Sequence, residues 1–417
     1  MSQQEHVVAR YSVAVDGNPD EAASVLAGEQ SAGTFTQVAG DSPELQHVFG
    51  ARVESVAATG RSRVAARDYG REGSAPSVPE YDVRIAFPIG NVGASASHLM
   101  TVIAGNLFEL RTLAGVRLED VEIPAVTARS FHQRMPHGVG GSREAMRRTT
   151  GPMLGTIVKP SIGLDNGQIA DLTGVLAGAG LDLVKDDELN GDLPHAPLLD
   201  RVDRVQAVLE AQGNPGTQYA YNITGTLEQM KRAADHIESR GGTTAMVVVP
   251  WVGLEAFAEL RRHTSLVLQA HRAGWGALDR SADVGISFRV YARVLRMLGA
   301  DQVHVGGLRS KFWEHAESIS GSVEALSCAD DVAPASLPVL SSAQTVLTAA
   351  ESFATFNTED LLVLAGGGIH GHPGGPEAGV RSLRLAWDAA VAGTPLDQVA
   401  AEEPELAAAI EHFSERS

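Results

Sequence analysis

Lys185-Asp186-Asp187-Glu188 is the densest run of reactive side chains in the chain. Carboxylates with no soft ligand nearby suit a hard divalent cation, Mg²⁺ ahead of Zn²⁺. A lysine beside them is out of place as an ammonium, which repels a metal. It fits either as a salt-bridge partner or, after carbamylation by CO₂, as an anionic oxygen ligand; a solvated charged turn is the plainer alternative. Lys159 lies 26 residues earlier (185 − 159 = 26) in TIVKP. Near other cations a lysine loses basicity and can serve as an acid/base; otherwise it pairs with a surface carboxylate. His271-Arg272 and His304 form a plausible clamp for a phosphate or carboxylate. Gly-rich AGGGIHGH, Ala365–His372, exposes backbone N–H groups of the kind that cradle anions, or makes a tight turn. Lys311, in VGGLRSKFWE, sits in a loop able to close over a substrate, or is simply a solvated lysine.

These residues need a scaffold that gathers distant positions. Apolar runs recur at Met153–Val158, Leu181–Lys185, Gln218–Ile223, Thr244–Val249, Leu266–Ala270, Gln302–Val305, Leu337–Leu340 and Leu361–Leu364, with amphipathic segments such as Leu198–Ala211, Leu227–Ser239, Leu254–Arg262, Phe288–Leu298 and Val380–Ala392. This alternation predicts an α/β fold, a (β/α)8 TIM barrel over residues 141–417. A doubly wound open sheet is the competing topology. In a barrel the strand C-termini carry the chemistry, and there the sequence places Lys159, Lys185–Glu188, Asn222, His271-Arg272, His304, Ser341 and Gly366–Gly368. Residues 1–140 mix strand-like runs (Arg10–Val15, Ser55–Ala66, Tyr81–Pro88) with helical ones (Pro19–Gly28, capped by Asn18, and Ser95–Leu107), which predicts a small α+β domain. Pro136–Ser142 (PHGVGGS) reads as a linker.

Composition narrows the partners. The chain has 417 residues and a formal net charge of −18 (33 − 51), which argues against a nucleic-acid partner. A single cysteine, Cys328, excludes a disulfide framework and a cysteine-rich zinc site. No run reaches the ~18–20 apolar residues of a membrane helix, and MSQQEHVVARYSVAV has no signal-type apolar core, so a cytoplasmic protein is expected.

The segment GPMLGTIVKPSIGLDNG…GLDLVKDDELNGD…LLDR, with His271-Arg272, His304 and Lys311 seven residues apart, Ser341, and GGG with GHP, resembles the large subunit of RuBisCO and the RuBisCO-like (form IV) proteins. The likeness extends into the first domain through GEQSAGTF and AGN. It implies a ferredoxin-like N-terminal domain and Mg²⁺ held by carbamylated Lys185, Asp187 and Glu188. Lys159 is then the acid/base near the reacting carbons, and His271 supports the metal side. Arg272, His304 and Ser341 would hold one end of the substrate; Thr34, Gly366, Gly367 and Lys311 would hold a phosphate at the other. Glu29, Thr34 and Asn106 would act on a partner's barrel, with Lys311 pairing to Glu29 on loop closure, so the implied minimal unit is a homodimer.

Departures from the carboxylase pattern point away from carbon fixation. Ser161 replaces a second lysine, Trp275 a histidine, Gly307 a threonine, and Ser342-Ala343 a Gly-Gly pair. Trp275 is expected to add bulk where the second phosphate of a bisphosphate would lie. What remains is enolate chemistry on a phosphorylated sugar. HRAGWGALDR, VHVGGLRSKFWE and VKDDEL look most like the branch that decarboxylates, or transcarboxylates and hydrolyses, branched 3-oxo acid-sugar phosphates of the 3-oxo-isoapionate 4-phosphate type. Methylthioribulose-phosphate isomerase, diketo-methylthiopentyl-phosphate enolase, ribulose-bisphosphate carboxylase and a silent scaffold are the alternatives; Asn106, where the enolases carry lysine, weighs against that branch.

Overall fold

The computed structural model describes residues 5–33, 38–64, 77–213 and 216–415. Contacts divide the chain into Met1–His132 with Gly274–Met297, and Gln133–Ala273 with Leu298–Ser417.

The first unit is built on strands β1 (His6–Ala14), β2 (Arg52–Val64), β3 (Ser77–Pro88) and β4 (Gly115–Glu122). Antiparallel ladders join β2 to β3, β3 to β1 and β1 to β4. A helix over Pro19–Glu29 starts with the Asn18 side chain accepting from Asp20 N and Pro19 in its first turn, as its sequence predicts. The Ser95-capped helix is shorter than expected: it ends at Ala104, and Asn106–Glu109 turns into a 3-10 segment. One short strand was not anticipated. Val284–Ile286 lies in parallel beside β4, giving a five-stranded mixed sheet. A three-residue VGI run has no periodicity to read; only its partner makes it a strand. It also groups Gly274–Met297 with the first unit, where a single cut near residue 140 was expected.

In the second unit the eight expected apolar runs are strands: β5 (Met153–Ile157), β6 (Leu183–Lys185), β7 (Gln218–Asn222), β8 (Thr244–Val248) and β9 (Val267–His271); then, with Val284–Ile286 counted as β10, β11 (Gln302–Gly306), β12 (Leu337–Leu340) and β13 (Leu362–Leu364). Parallel pairing from β5 through β9, then β11, β12, β13 and back to β5, closes a barrel, so the open-sheet topology is excluded. Met153, Leu183, Leu337 and Leu362, each the first residue of its strand, pack with Val339, Leu364, Ala220 and Met146 into a buried core inside the barrel.

The expected linker is not one. Gly138–Ala145 is helical. His137 N and Gly138 N donate to Asp301 Oδ1 at 3.0 and 2.8 Å, Ser142 Oγ accepts from Gln302 Nε2 at 3.2 Å, and Val139 packs on the barrel core. Tertiary partners outweigh the low helix propensity of three glycines.

Candidate functional site at the barrel mouth

Lys159 lies two residues past the end of β5. Its Nζ donates to Asp187 Oδ2 at 2.7 Å and to Ser161 Oγ at 2.8 Å. Ser161, read from sequence only as a lost lysine, orients the remaining one. Burial works to raise the Asp187 carboxyl, but donation from Lys159, Ser161 and the Leu189 amide outweighs it and holds Asp187 below the usual carboxylate range.

Lys185 ends β6 and is 1% exposed. Burial pushes its ammonium down to about 8, against the pull of Glu188, Asp187 and Asp186. CO₂ reacts with the neutral amine, and the lowered basicity makes that form far more abundant at neutral pH than in an ordinary lysine. Among the described residues no group of three or more His, Cys, Asp or Glu forms a ready metal cluster. The set Lys185, Asp187 and Glu188 therefore supplies three anionic oxygen donors only if Lys185 is carbamylated. That set, hard and all-oxygen, fits Mg²⁺.

Asp186 turns the other way. It is fully buried, with Oδ1 accepting from Tyr219 Oη at 2.6 Å and Oδ2 from Asn222 N at 2.9 Å, and it pairs with buried Arg201 at 3.1 Å. Arg201 also donates to the carbonyls of Ala196 and Gly191, and Asn222 Nδ2 to those of Asp187 and Glu188. Asp186, Arg201 and Asn222 hold the backbone that presents Asp187 and Glu188. Of these the sequence flagged Asp186 and Asn222 as strand-end polar residues, without this role. Arg201 was hidden in a helical pattern.

His271 ends β9. Its Nδ1 accepts from Ala273 N at 3.2 Å, which leaves Nε2 as the protonated nitrogen, 3.6 Å from Glu188 Oε2. His304 lies inside β11, 1% exposed. The Gln269 amide donates to Gln302 Oε1 at 2.8 Å, so its own oxygen faces His304 Nε2 at 3.1 Å. That fixes the proton on Nε2 and leaves His304 Nδ1 to accept from Ser341 Oγ at 3.4 Å. The two imidazoles meet edge to face at 4.3 Å. Burial drives both far below the usual histidine range, so both are neutral at pH 7. Gln269 and Gln302 were not foreseen; two glutamines inside strands give no signal until they are seen to face a histidine.

Gly366 and Gly367 follow β13, anchored by Thr156 Oγ1 donating to Ala365 O at 2.8 Å. A Cβ at Gly366 would lie 3.4 Å from Lys159 Cε, so the lysine arm runs beside this turn. Arg272 pairs with Glu314 at 2.8 Å. Lys311 is not gathered in: it is exposed, its ammonium 5.5 Å over the Phe312 ring.

In the first unit Glu29, the last residue of its helix, and Asn106 are both exposed. The Gln30 side chain reaches Gly105, bringing the two segments together. Thr34 lies outside the described residues. Trp275 does not act as expected. It is 3% exposed, stacked on Tyr291 at 4.0 Å and edge-on to Phe288 at 5.9 Å, so its bulk packs an aromatic cluster of the first unit. Gly307 is a structural requirement, because a Cβ there would stand 2.6 Å from the Ser341 carbonyl oxygen. Ser342 and Ala343 keep a glycine-like backbone, with φ of 71° and 52°.

Comparison with known proteins places the fold in a family. Residues 138–413 match the ribulose bisphosphate carboxylase large chain, catalytic domain, and residues 1–127 its N-terminal domain. A 3-oxo-isoapionate-4-phosphate decarboxylase of Rhizobium etli is 39% identical over 97% of this chain and 98% of its own. A 3-oxo-isoapionate-4-phosphate transcarboxylase/hydrolase of Xanthobacter autotrophicus is 39% identical over 97% and 99%. The crystal structure of a rubisco-like protein from Burkholderia fungorum superposes with a TM-score of 0.89 at 34% identity, covering 98% of this chain and 99% of that one.

Proposed function

Because this chain belongs to the ribulose bisphosphate carboxylase large-chain family, we propose that it is a RuBisCO-like lyase that removes CO₂ from a branched 3-oxo acid-sugar phosphate of the 3-oxo-isoapionate 4-phosphate type. The observation that carries the reading is the contact of Lys159 with Asp187, which sets an acid/base at the carboxylate that would share a metal with buried Lys185. Two relatives at 39% identity named for that substrate supply its class.

Carbamylated Lys185, Asp187 and Glu188 would hold Mg²⁺. Bound there, the ion supplies a Lewis acid for the negative charge that develops on the 3-oxo oxygen. Arg272, His304 and Ser341 orient one end of the sugar, with Nδ1 of His304 and the Ser341 hydroxyl as its polar contacts. Gly366 and Gly367, joined by Lys311 when the loop closes, hold the phosphate. His271, through Nε2–H, steadies Glu188. Decarboxylation breaks the bond between the carboxylate carbon and its neighbour. The electron pair moves into the enolate, CO₂ leaves, and Lys159 Nζ delivers a proton to the carbon so exposed. Carboxylation shares that enolate, which accounts for Lys159 and Lys311 both being present.

The active unit is a homodimer, with the partner subunit's Glu29, the partner subunit's Thr34 and the partner subunit's Asn106 completing each barrel mouth. No helix among the described residues is long and apolar enough to cross a membrane, consistent with a cytoplasmic enzyme.

The test is turnover followed by phosphorus and proton NMR with Mg²⁺ and bicarbonate. The panel holds the 3-oxo acid-sugar phosphate, ribulose 1,5-bisphosphate, methylthioribulose 1-phosphate and a 2,3-diketo 1-phosphate. Loss of CO₂ from the first alone is expected. Turnover of either sulfur-salvage compound, or an inert acid sugar, overturns the proposal.

A further inference from the structure

The loop after β11 carries an acid as well as Lys311. Glu314 Oε2 lies 2.8 Å from Arg272 Nη1, and Glu314 Oε1 accepts from Ser318 Oγ at 2.8 Å. The Glu314 side chain is only 6% exposed and that of Arg272 15%. Arg272 Nη1 also donates to the Val305 carbonyl, which pins the guanidinium against β11. The carboxylate lies against Gly306, whose φ of +115° suits glycine; Glu314 Oε2 is 3.4 Å from where a Cβ would stand, an ordinary contact distance. Both oxygens of Glu314 are therefore engaged at the strand ends where a substrate group would meet Arg272.

We propose that Glu314 is a specificity-determining residue: by neutralising Arg272 it closes the β9–β11 side of the barrel mouth to a phosphate, so the site takes sugars bearing one phosphate, on the Gly366–Gly367 side, with a hydroxyl-bearing end at Arg272. The inference rests on the reading of this mouth as a sugar-phosphate site. A phosphate monoester carries a charge of about −1.5 to −2 at neutral pH. Set at Arg272, it meets the Glu314 carboxylate as a like charge, and displacing Glu314 strands a nearly buried anion. A hydroxyl accepts from the guanidinium without either cost. This assigns to Glu314 the exclusion that Trp275, packed against Tyr291, does not perform.

The experiment compares binding of ribulose 1,5-bisphosphate and ribulose 5-phosphate by calorimetry, using the full chain with Mg²⁺ and bicarbonate. Wild-type protein is expected to bind the bisphosphate no tighter than the monophosphate. Glu314→Gln keeps the size and the Ser318 contact but removes the charge, and should raise the bisphosphate preference about tenfold or more. Ser318→Ala, which loosens Glu314, should move the ratio the same way by less. A wild-type preference for the bisphosphate, or no gain of bisphosphate binding in folded Glu314→Gln, overturns the proposal. CO₂ loss from the acid sugar by wild-type protein is scored separately, so the assigned reaction and the role of Glu314 fail independently.

Discussion

Lys159 and Asp187 meet across adjacent strands: the ammonium two residues past β5 donates to the carboxylate two residues past β6 at 2.7 Å. The contact holds the lysine at the carboxylate side of the mouth with its arm along Gly366, between the residues proposed to hold metal and those proposed to hold phosphate. Replacing Lys159 with methionine keeps the arm and removes the proton. Turnover should fall by about 10²–10⁴ with substrate affinity within a few fold. A loss in affinity alone would make Lys159 a binding residue and not the acid/base.

Carbamylation should follow pH in a definite direction. Burial lowers the Lys185 ammonium to about 8. The neutral amine that reacts with CO₂ therefore grows as pH rises through 8 and is scarce at pH 6. With ¹³C-labelled bicarbonate and Mg²⁺, a carbamate carbon signal should strengthen over that range and be absent from Lys185→Arg. A signal of the same strength in that variant would remove Lys185 from the metal set. His271 and His304, neutral throughout, should add no step near pH 6.5.

The Asp186–Arg201 pair is structural. Both side chains are 0% exposed. Asp186→Asn leaves the guanidinium without its counter-charge and should cost about 3–5 kcal/mol, read from denaturant midpoints. A loss under about 1 kcal/mol would mean that neighbouring carbonyls hold Arg201 adequately.

The turn after Ser341 is strained by its side chains. Ala343, at φ 52°, should tolerate glycine with a gain of up to about 1 kcal/mol in stability. Gly307→Thr, the carboxylase-like exchange, should lower thermal stability instead, since its Cβ has no room beside the Ser341 carbonyl oxygen. An unchanged melting temperature in Gly307→Thr would show that the turn yields easily.

The barrel was readable from eight apolar runs because each strand is buried on both faces, and such strands announce themselves without a partner. Lys159, Lys185, Asp187, Glu188, His271, His304 and Gly366 stood out because polar residues at the ends of apolar runs have few other reasons to be there. Their type and order along the chain were sequence information. Other features depended on what lies opposite in space. Val284–Ile286 is a strand only beside β4. Gly138–Ala145 is a helix only because Asp301 and Gln302 receive it. Arg201 looks like any surface arginine until Asp186 is found beneath it, and the His304 tautomer is set by two glutamines on different strands. The packing of Trp275 into an aromatic cluster set aside the bulk expected of it at the mouth, and the pairing of Arg272 with Glu314 could not be read from residue type. Which residues are present is a property of the chain. Which charges cancel, and which remain for a ligand, depends on distances of a few ångströms between residues tens of positions apart, and only folding sets those.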